Sequence, residues 1–443
     1  LTGAKKPSGM LKVVNAWRYL QESANQLGSD SSTAAQHRLS ELGASFRLIE
    51  MESSCNIRNS DATGLTNWIK EVEECRDTIR KQVHSVAKGP PANDRVSLVQ
   101  ADISRVPVYS AFAGLDNLSY GVSLGCSGAF TAGGSESDPV AREAFRRRHR
   151  FMPFADQTTV PCHMMGGAYI GTSGSPCVAF SPAGVQRGSS DPRGQLYEKQ
   201  IPAFIQAQIP VLLLEQVPEC RLLLAGDAQA RDTGLSSQQR VVQQLQDADY
   251  HVPLASDGLH GQILRASDFG DAVDRERLFT VAVRPDIWAL TGSQFKWPLP
   301  GLCPPKTVRQ ILNRAPDPRY ICEQDNDRQF RRVDCEPRHG RSTLLWVRKG
   351  PFRDGLGHWD DPDRIYSLDS PAPSPTARGN TRWFEVLGPN GEFWRRRLSP
   401  REIGRAFGVD PLLITNIGES SAFSLVGNTV SLAVSTALGR SLE

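Results

Sequence analysis

Along the first part of the chain, apolar positions recur at helical spacing. Leu11, Val14, Trp17 and Leu20 share one face, as do Trp68, Ile69, Val72, Cys75 and Ile79. The stretch AAQHRLSELGASFRLIEME between them has the same character, and Gly89-Pro90-Pro91 ends the run. Residues 1–95 are therefore expected to form a helical accessory region, whose stripes are ordinary core-facing surfaces and name no partner. Further on the pattern changes to short apolar runs, each ending in a turn. Residues 106–108 lead into YSAFAGLDNLSYGVSLG, and FTAGGSESDPVAREAFRRRH repeats the strand, turn and helix order. Residues 168–170 run into small residues, IPVLLLEQVPE ends in a carboxylate, and LAVSTALG closes the chain as an amphipathic helix. This alternation predicts an α/β fold of the Rossmann-like, doubly wound kind, with ligands bound beyond the strand ends.

Residues 171–194, GTSGSPCVAFSPAGVQRGSSDPRG, organise the rest. They read as the end of a strand that delivers Cys177 to a sheet edge, then a long mobile loop without helical or strand period. A thiol among free backbone N–H groups can serve as a nucleophile. A solitary cysteine is as readily a small buried apolar residue.

Composition narrows the class. The chain has 443 residues, enough for two or three domains, with the 39% hydrophobic and 22% charged content of an ordinary soluble protein. No apolar run approaches membrane length, no signal-peptide pattern is present, and no membrane partner is expected. The chain opens on Leu1, as a processed protein or a piece of a longer one would. Nine cysteines without a CxxC pair argue for reduced thiols and an intracellular setting. No metal site is expected, since Cys322, Cys335 and His339 lack an evident fourth ligand. Net charge is only +3, but residues 291–405 carry 21 Lys and Arg against 14 Asp and Glu, with five of the eight tryptophans. Basic charge interleaved with aromatics suits a nucleic-acid surface, and equally a solvated face over scattered buried Trp.

The pattern Pro-Cys-x-x-Phe-Ser-x-Ala-Gly from Pro176, followed by Gly, Asp and Arg-Gly, resembles the catalytic motif of the DNA (cytosine-5) methyltransferases. Later motifs follow in that family's order. Phe112-Ala113-Gly114 is similar to its first motif, although the family has an acid where Ser110 stands and a glycine pair at Asp116-Asn117. Glu136, with Asp138-Pro139 after it, resembles the second, and Asp156 stands where the family places an acid near adenine. Glu215 falls at the end of a strand where the family has Glu-Asn-Val, with Gln216 in place of Asn. Arg275 and Arg277 keep the Arg-x-Arg motif, whose usual first Gln is Val273. SPREIGRAFGVD and LVGNTVSLAVSTALG resemble the ninth and tenth motifs.

The resemblance implies an S-adenosylmethionine-dependent methyltransferase that modifies C5 of a cytosine flipped out of double-stranded DNA. It assigns Cys177 as nucleophile, Glu215 as the acid at N3, Arg275 as support for the base and Arg277 as a partner for a carboxylate. Cofactor contacts would come from Phe112, Gly114, Leu115, Glu136, Ser137, Asp156, Pro176, Asn428 and Val430. Ser181, Gln186 and Arg187, on a loop that closes over DNA, would touch the nucleic acid. The domains implied are the accessory region 1–95, a catalytic methyltransferase domain over 96–290, a smaller target recognition domain over 291–398, and a return to the catalytic domain over 399–443. The setting is the nucleus in a eukaryote, or the nucleoid and cytoplasm in a bacterium. Two other readings stay open: an RNA cytosine-5 methyltransferase on the same scaffold, and a catalytically weak DNA-binding regulator, suggested by Ser110, Asp116, Gln216 and Val273.

Overall fold

A computed structural model describes residues 105–443, apart from 183, 185, 293, 315–316, 323–329, 334, 349–363, 376–381 and 388–392. The helices expected over residues 1–88 and their boundary at 89–91 lie outside the described residues, as does Gly388-Pro389-Asn390-Gly391, whose residue types predict a turn.

The centre of the fold follows from IPVLLLEQ. Strand β4 (Val211–Gln216) is buried at every position, as a strand covered on both faces must be. Around it runs a six-stranded sheet in the order β2-β1-β3-β4-β7-β5. Strands β1 (Val106–Ala111), β2 (Ala129–Gly134), β3 (Ile170–Gly174) and β4 are parallel, while β7 (Glu276–Val283) runs antiparallel between β4 and β5 (Gln262–Arg265). The chain leaves β1 to one side for β2 and returns on the other side as β3. A doubly wound sheet opens a crevice at such a reversal, outside the carboxyl ends of the strands. Because β7 is antiparallel, its beginning lies at that same edge, with Leu278 opposite Gln216.

Helix α1 (Asn117–Gly125) follows β1 and α2 (Pro139–His149) follows β2. Asp138 caps α2 by accepting from the N–H groups of Val140 and Ala141 at 2.7 and 2.9 Å, with Pro139 in the first turn. The loop after Cys177 is shorter than its composition suggests. Asp191-Pro192 is a helix start inside it, and α3 (Pro192–Gln206) begins there, with Asp191 accepting from the N–H of Arg193. The basic run 146–150 also departs from the expected solvated helix end. Arg146 pairs with Glu143 at the surface, but Arg147 reaches the Thr415 carbonyl, and Arg148 and His149 turn inward to Asp116.

The C-terminal residues return to the first sheet as α5 (Pro400–Ala406), α6 (Glu419–Gly427) and α7 (Leu432–Leu442). Helix α7 meets α1 almost backbone to backbone. A Cβ added at Gly121 would lie 2.3 Å from the Ser435 Cβ, and one at Gly125 would lie 2.1 Å from the Thr436 carbonyl oxygen. Among the described residues, Glu419–Leu442 is long and apolar enough by composition to cross a membrane, closer to that length than the sequence suggests. It breaks at Asn428 into α6 and α7, and most of it is buried in the fold.

Between β7 and α5 the chain builds a second six-stranded sheet, ordered β8-β14-β13-β11-β10-β9. These strands are short: β8 (Ile321–Cys322), β9 (Phe330–Arg332), β10 (Leu344–Arg348), β11 (Arg364–Tyr366), β13 (Trp383–Leu387) and β14 (Phe393–Arg396). Among the ties between it and the rest of the fold are a separate two-stranded ladder and an ion pair. Strand β6 (Val273–Asp274) pairs with β12 (Ala372–Pro373), so Val273 is buried in the join. The second tie is a buried ion pair in which Arg396 Nη2 donates to both oxygens of Glu402 at 2.8 Å. One apolar cluster runs through both, joining Val281 and Leu438 to Ile311, Tyr366 and Phe384.

Candidate active site

The first turn of the crevice is made by residues with left-handed backbones. Phe112, Gly114 and Asp116 have φ of 52°, 57° and 55°. Only glycine adopts that region freely, so Phe112 and Asp116 need surrounding bonds to hold them there. The Ala113 N–H donates to the Ser135 carbonyl and the Asp116 N–H to the Ala113 carbonyl, at 2.9 and 2.7 Å. Glu136, just past β2, accepts from the Gly114 N–H on one oxygen and from the Asp138 N–H on the other, both at 2.8 Å. Each carboxylate oxygen keeps a further lone pair for a ligand hydroxyl. A Cβ built on Gly114 would meet nothing within 4 Å. The turn thus presents bare backbone to open space.

Three residues where the sequence departs from the family pattern close this half. Ser110 Oγ donates to Asp116 Oδ1 at 2.5 Å. Asn117 Nδ2 donates to the carbonyls of Val430 and Phe407 at 3.0 and 3.2 Å, which joins the first turn to the C-terminal segment. Asn428 caps the end of α6 and is exposed at the cleft, while Val430 is buried beneath it.

The other half is built where β3, β4 and β7 end. Cys177, partly exposed, follows β3, and its carbonyl accepts from the N–H groups of Phe180 and Ser181, each at 3.0 Å. Glu215 is buried and pairs with Arg277, Nε to Oε1 2.9 Å. Burial pushes the Glu215 carboxyl pKa up, against the opposing pull of Arg277 and Arg275. Arg275 is buried too, and desolvation and Arg277 push its guanidinium pKa down, while Glu215 and Cys177 pull it back. Its Nη1 donates to Ser374 Oγ at 3.1 Å, and its buried Nε has no partner among the described residues. An unpartnered buried donor facing a cleft is a place for a ligand acceptor.

Gln216 is fully buried, and its longer side chain has a use. Its Nε2 donates to Ser175 Oγ at 3.1 Å, and its Oε1 accepts from the Val217 N–H at 2.9 Å. It fastens the end of β4 to the segment that carries Cys177.

One cleft of about 220 Å³ unites the two halves. Its lining includes Cys177, Glu215, Arg275, Arg277, Phe112, Gly114, Leu115, Glu136, Ser137, Pro176, Asn428 and Val430. Asp156 is not in the lining; its carboxylate folds back to accept from the Thr158 N–H and hydroxyl, both at 2.8 Å. Ser181, Gln186 and Arg187 are also outside it, and the last two are exposed on the loop before α3. Sequence reasoning missed Asn117, Leu118, Ser175, Ser424 and Leu425 in the wall. Only Asn117 carried a signal, as a polar side chain where the related pattern has glycine.

A doubly wound sheet with a thiol, a buried acid and two guanidinium groups beside a bare Gly turn and a carboxylate is the plan of a Rossmann-like methyltransferase. The sequence model of the family described as C-5 cytosine-specific DNA methylase matches residues 106–443. The chain belongs to that family. It is 26% identical over 326 residues to the type II methyltransferase M.HhaI of Haemophilus parahaemolyticus, covering 73% of this chain and 90% of that one. It is 33% identical over 267 residues to M.FnuDI of Fusobacterium nucleatum, covering 58% and 71%. In fold it is similar to the crystal structure of S. pombe Dnmt2 methyltransferase (17% identity, TM-score 0.50) and to Entamoeba histolytica methyltransferase EhMeth (13%, 0.52). Each covers 76% of this chain and 98% of the other.

Proposed function

We propose that the chain transfers a methyl group from S-adenosylmethionine to C5 of a cytosine flipped out of double-stranded DNA, through a covalent adduct with Cys177. The observation that carries this is the single cleft holding Cys177, Glu215, Arg275 and Arg277 beside Glu136 and the Gly114 turn. The residues present fit the cofactor. Glu136 has lone pairs for the ribose hydroxyls, the Gly114 turn admits close approach, and Asn428 and Val430 wall the far side. When bound, S-adenosylmethionine supplies an electrophilic methyl group.

Cytosine C5 is a weak nucleophile, and the protein's residues make it a better one. The Cys177 thiolate adds to C6 while the Glu215 carboxyl, whose pKa burial raises, donates its proton to N3. Arg277, whose Nε lies 2.9 Å from Oε1, orients that carboxyl, and the Arg275 Nε–H donates to the base's carbonyl oxygen. The enamine so formed is nucleophilic at C5. After methylation, loss of the C5 proton to water and elimination of the Cys177 thiolate, with the N3 proton returned to Glu215, restore the aromatic ring. A base stacked in a duplex is out of reach of this cleft, so the target nucleotide must leave the stack. The exposed loop with Ser181, Gln186 and Arg187 is the segment that meets the DNA during that step, and the basic second sheet is its docking surface. A DNA substrate sets the protein inside a cell.

Transfer of labelled methyl from S-adenosylmethionine, offered to unmethylated duplex, hemimethylated duplex and RNA, tests the proposal with Cys177→Ala as control. Label in duplex DNA that vanishes in the variant is expected. Label only in RNA would move the substrate and keep the chemistry, and cofactor binding without transfer to any polymer would reduce the chain to a DNA-binding regulator.

A further inference from the structure

Beneath the cofactor turn lies a polar cluster that no step of the reaction uses. The Asp116 side chain is 1% exposed overall, yet four groups meet its carboxylate. Ser110 Oγ lies 2.5 Å from one oxygen, and the other accepts from Ser119 Oγ and lies 2.6 Å from His149 Nε2 and 3.4 Å from Thr131 Oγ1. The partners come from β1, α1, α2 and β2 in turn. His149 is itself enclosed by Phe145, Phe151 and Tyr120, at ring centroid separations of 4.5, 6.0 and 6.5 Å. Arg148 Nη1 donates to the Asp116 carbonyl at 2.9 Å and lies over the Tyr120 ring.

These bonds act on the turn itself. Ser110 stands at its entrance and Asp116 at its exit, so the Ser110–Asp116 bond spans the segment whose Gly114 N–H meets Glu136. Asp116 is also one of the residues held at positive φ, a conformation that a non-glycine residue keeps only when its surroundings fix it. Charge-assisted bonds inside a closed site are the strong ones, because water cannot replace them.

We propose that Asp116, clamped by Ser110 and His149, is a positioning residue for S-adenosylmethionine: it sets the shape of the 112–116 turn and through it the affinity for the cofactor. This rests on the reading of the cleft as a methyl-donor site. Asp116 touches neither cofactor nor base, so its loss acts on binding and leaves chemistry alone. The carboxylate also stands where the related pattern has glycine, while the hydroxyl stands where that pattern has an acid. Exchanging the two residues would set the carboxylate at the entrance and the hydroxyl at the exit, and should restore a bond across the turn.

The test is calorimetric titration of the full chain with S-adenosylmethionine and with S-adenosylhomocysteine, followed by steady-state methyl transfer. Asp116→Asn and Asp116→Gly are expected to weaken both ligands about tenfold, the scale of one lost charge-assisted bond. Their kcat at saturating cofactor should stay within about twofold of the parent. Ser110→Asp combined with Asp116→Ser should recover most of the loss. Should Asp116→Gly fail to fold, Asp116→Asn and His149→Gln carry the measurement, the latter with a loss of about threefold. Dissociation constants within twofold of the parent, or kcat falling in step with kcat/KM, would overturn the inference. If the parent chain bound no S-adenosylmethionine at all, the methyl-donor reading would fall first and this inference with it.

Discussion

On the side of the cleft proposed for catalysis, Cys177, Glu215, Arg275 and Arg277 keep the residue types of the family pattern. On the cofactor side, Ser110, Asp116 and Asn117 do not. The difference follows from what each side offers its ligand. Bond making at a base needs particular functional groups, and a thiol or carboxyl has no substitute at the same atom. The cofactor side instead offers backbone, through the Gly114 turn, and a backbone can be held by more than one set of side chains. Here Ser110 bonds to Asp116, and Asn117 bonds to Val430 and Phe407. Even on the side proposed for catalysis the exchanged residues are supports: Gln216 meets Ser175, and Val273 is buried in the β6–β12 pairing.

The sharpest separation of the two halves comes from Cys177→Ala. It is expected to lower methyl transfer by at least ~10³-fold, as removal of a nucleophile does, and to leave the calorimetric affinity for S-adenosylmethionine unchanged. A comparable loss of cofactor affinity would mean the halves are not separable. Glu215→Gln should cost about 10²- to 10⁴-fold in kcat, again with cofactor binding intact. The pH profile carries the sign. Burial raises the Glu215 pKa, so the proton-donating form persists above the ordinary carboxyl range. The parent's kcat should therefore fall as pH rises through that raised pKa, and the residual rate of the variant should lack this limb. A parent profile with no falling limb would remove Glu215 as the acid.

Much of this was legible from the sequence because strands and turns there obey local rules. Val211 to Glu215 is an apolar run ending in a charge, and it is a buried strand ending at the cleft. Glu136 before Asp138-Pro139 marks both a strand end and a helix start, and both occur. What stayed hidden were ties between distant residues. Nothing near Asn117 in the chain shows that its amide reaches Val430, because that contact depends on α7 packing against α1. His149 sits in a basic run that reads as solvated, and only the fold turns it onto Asp116. Asp156 lies at the expected position, but its side chain satisfies the local N–H of Thr158 instead, a competition common to Asp before a short helix.

Asn117→Ala tests how the cofactor side is held together. It removes two donated bonds and the acceptor that Arg148 Nη2 meets at 3.0 Å. Stability should fall by about 2 kcal/mol in urea unfolding, and cofactor affinity should fall with it as the C-terminal wall loosens. kcat at saturating cofactor should hold. A drop in kcat without a change in affinity would show that the C-terminal segment serves the catalytic half.

A pH-dependent effect is expected at Asp271, which tethers the same C-terminal segment from below. Its Oδ2 accepts from Ser431 Oγ at 2.6 Å, one residue past Val430. Burial raises its pKa from 3.8 to about 6, against the Ser431 bond and Lys306. A carboxyl with a raised pKa binds its proton more tightly in the folded chain. Its contribution to stability is therefore complete below the unfolded value and is lost as pH rises through the folded one. The loss approaches ~3 kcal/mol above that range, as an upper figure for a buried group. Asp271→Asn keeps an acceptor for Ser431 and removes the charge. Its melting temperature should match the parent's at about pH 3, exceed it increasingly between about pH 4 and 6, and keep a constant lead above about pH 7. Cofactor affinity should follow the same course, because a better-held Ser431 steadies Val430 at the wall of the cleft. A variant that is less stable than the parent at pH 8 would show that the ionised carboxylate, through its bond to Ser431, is what holds this side closed.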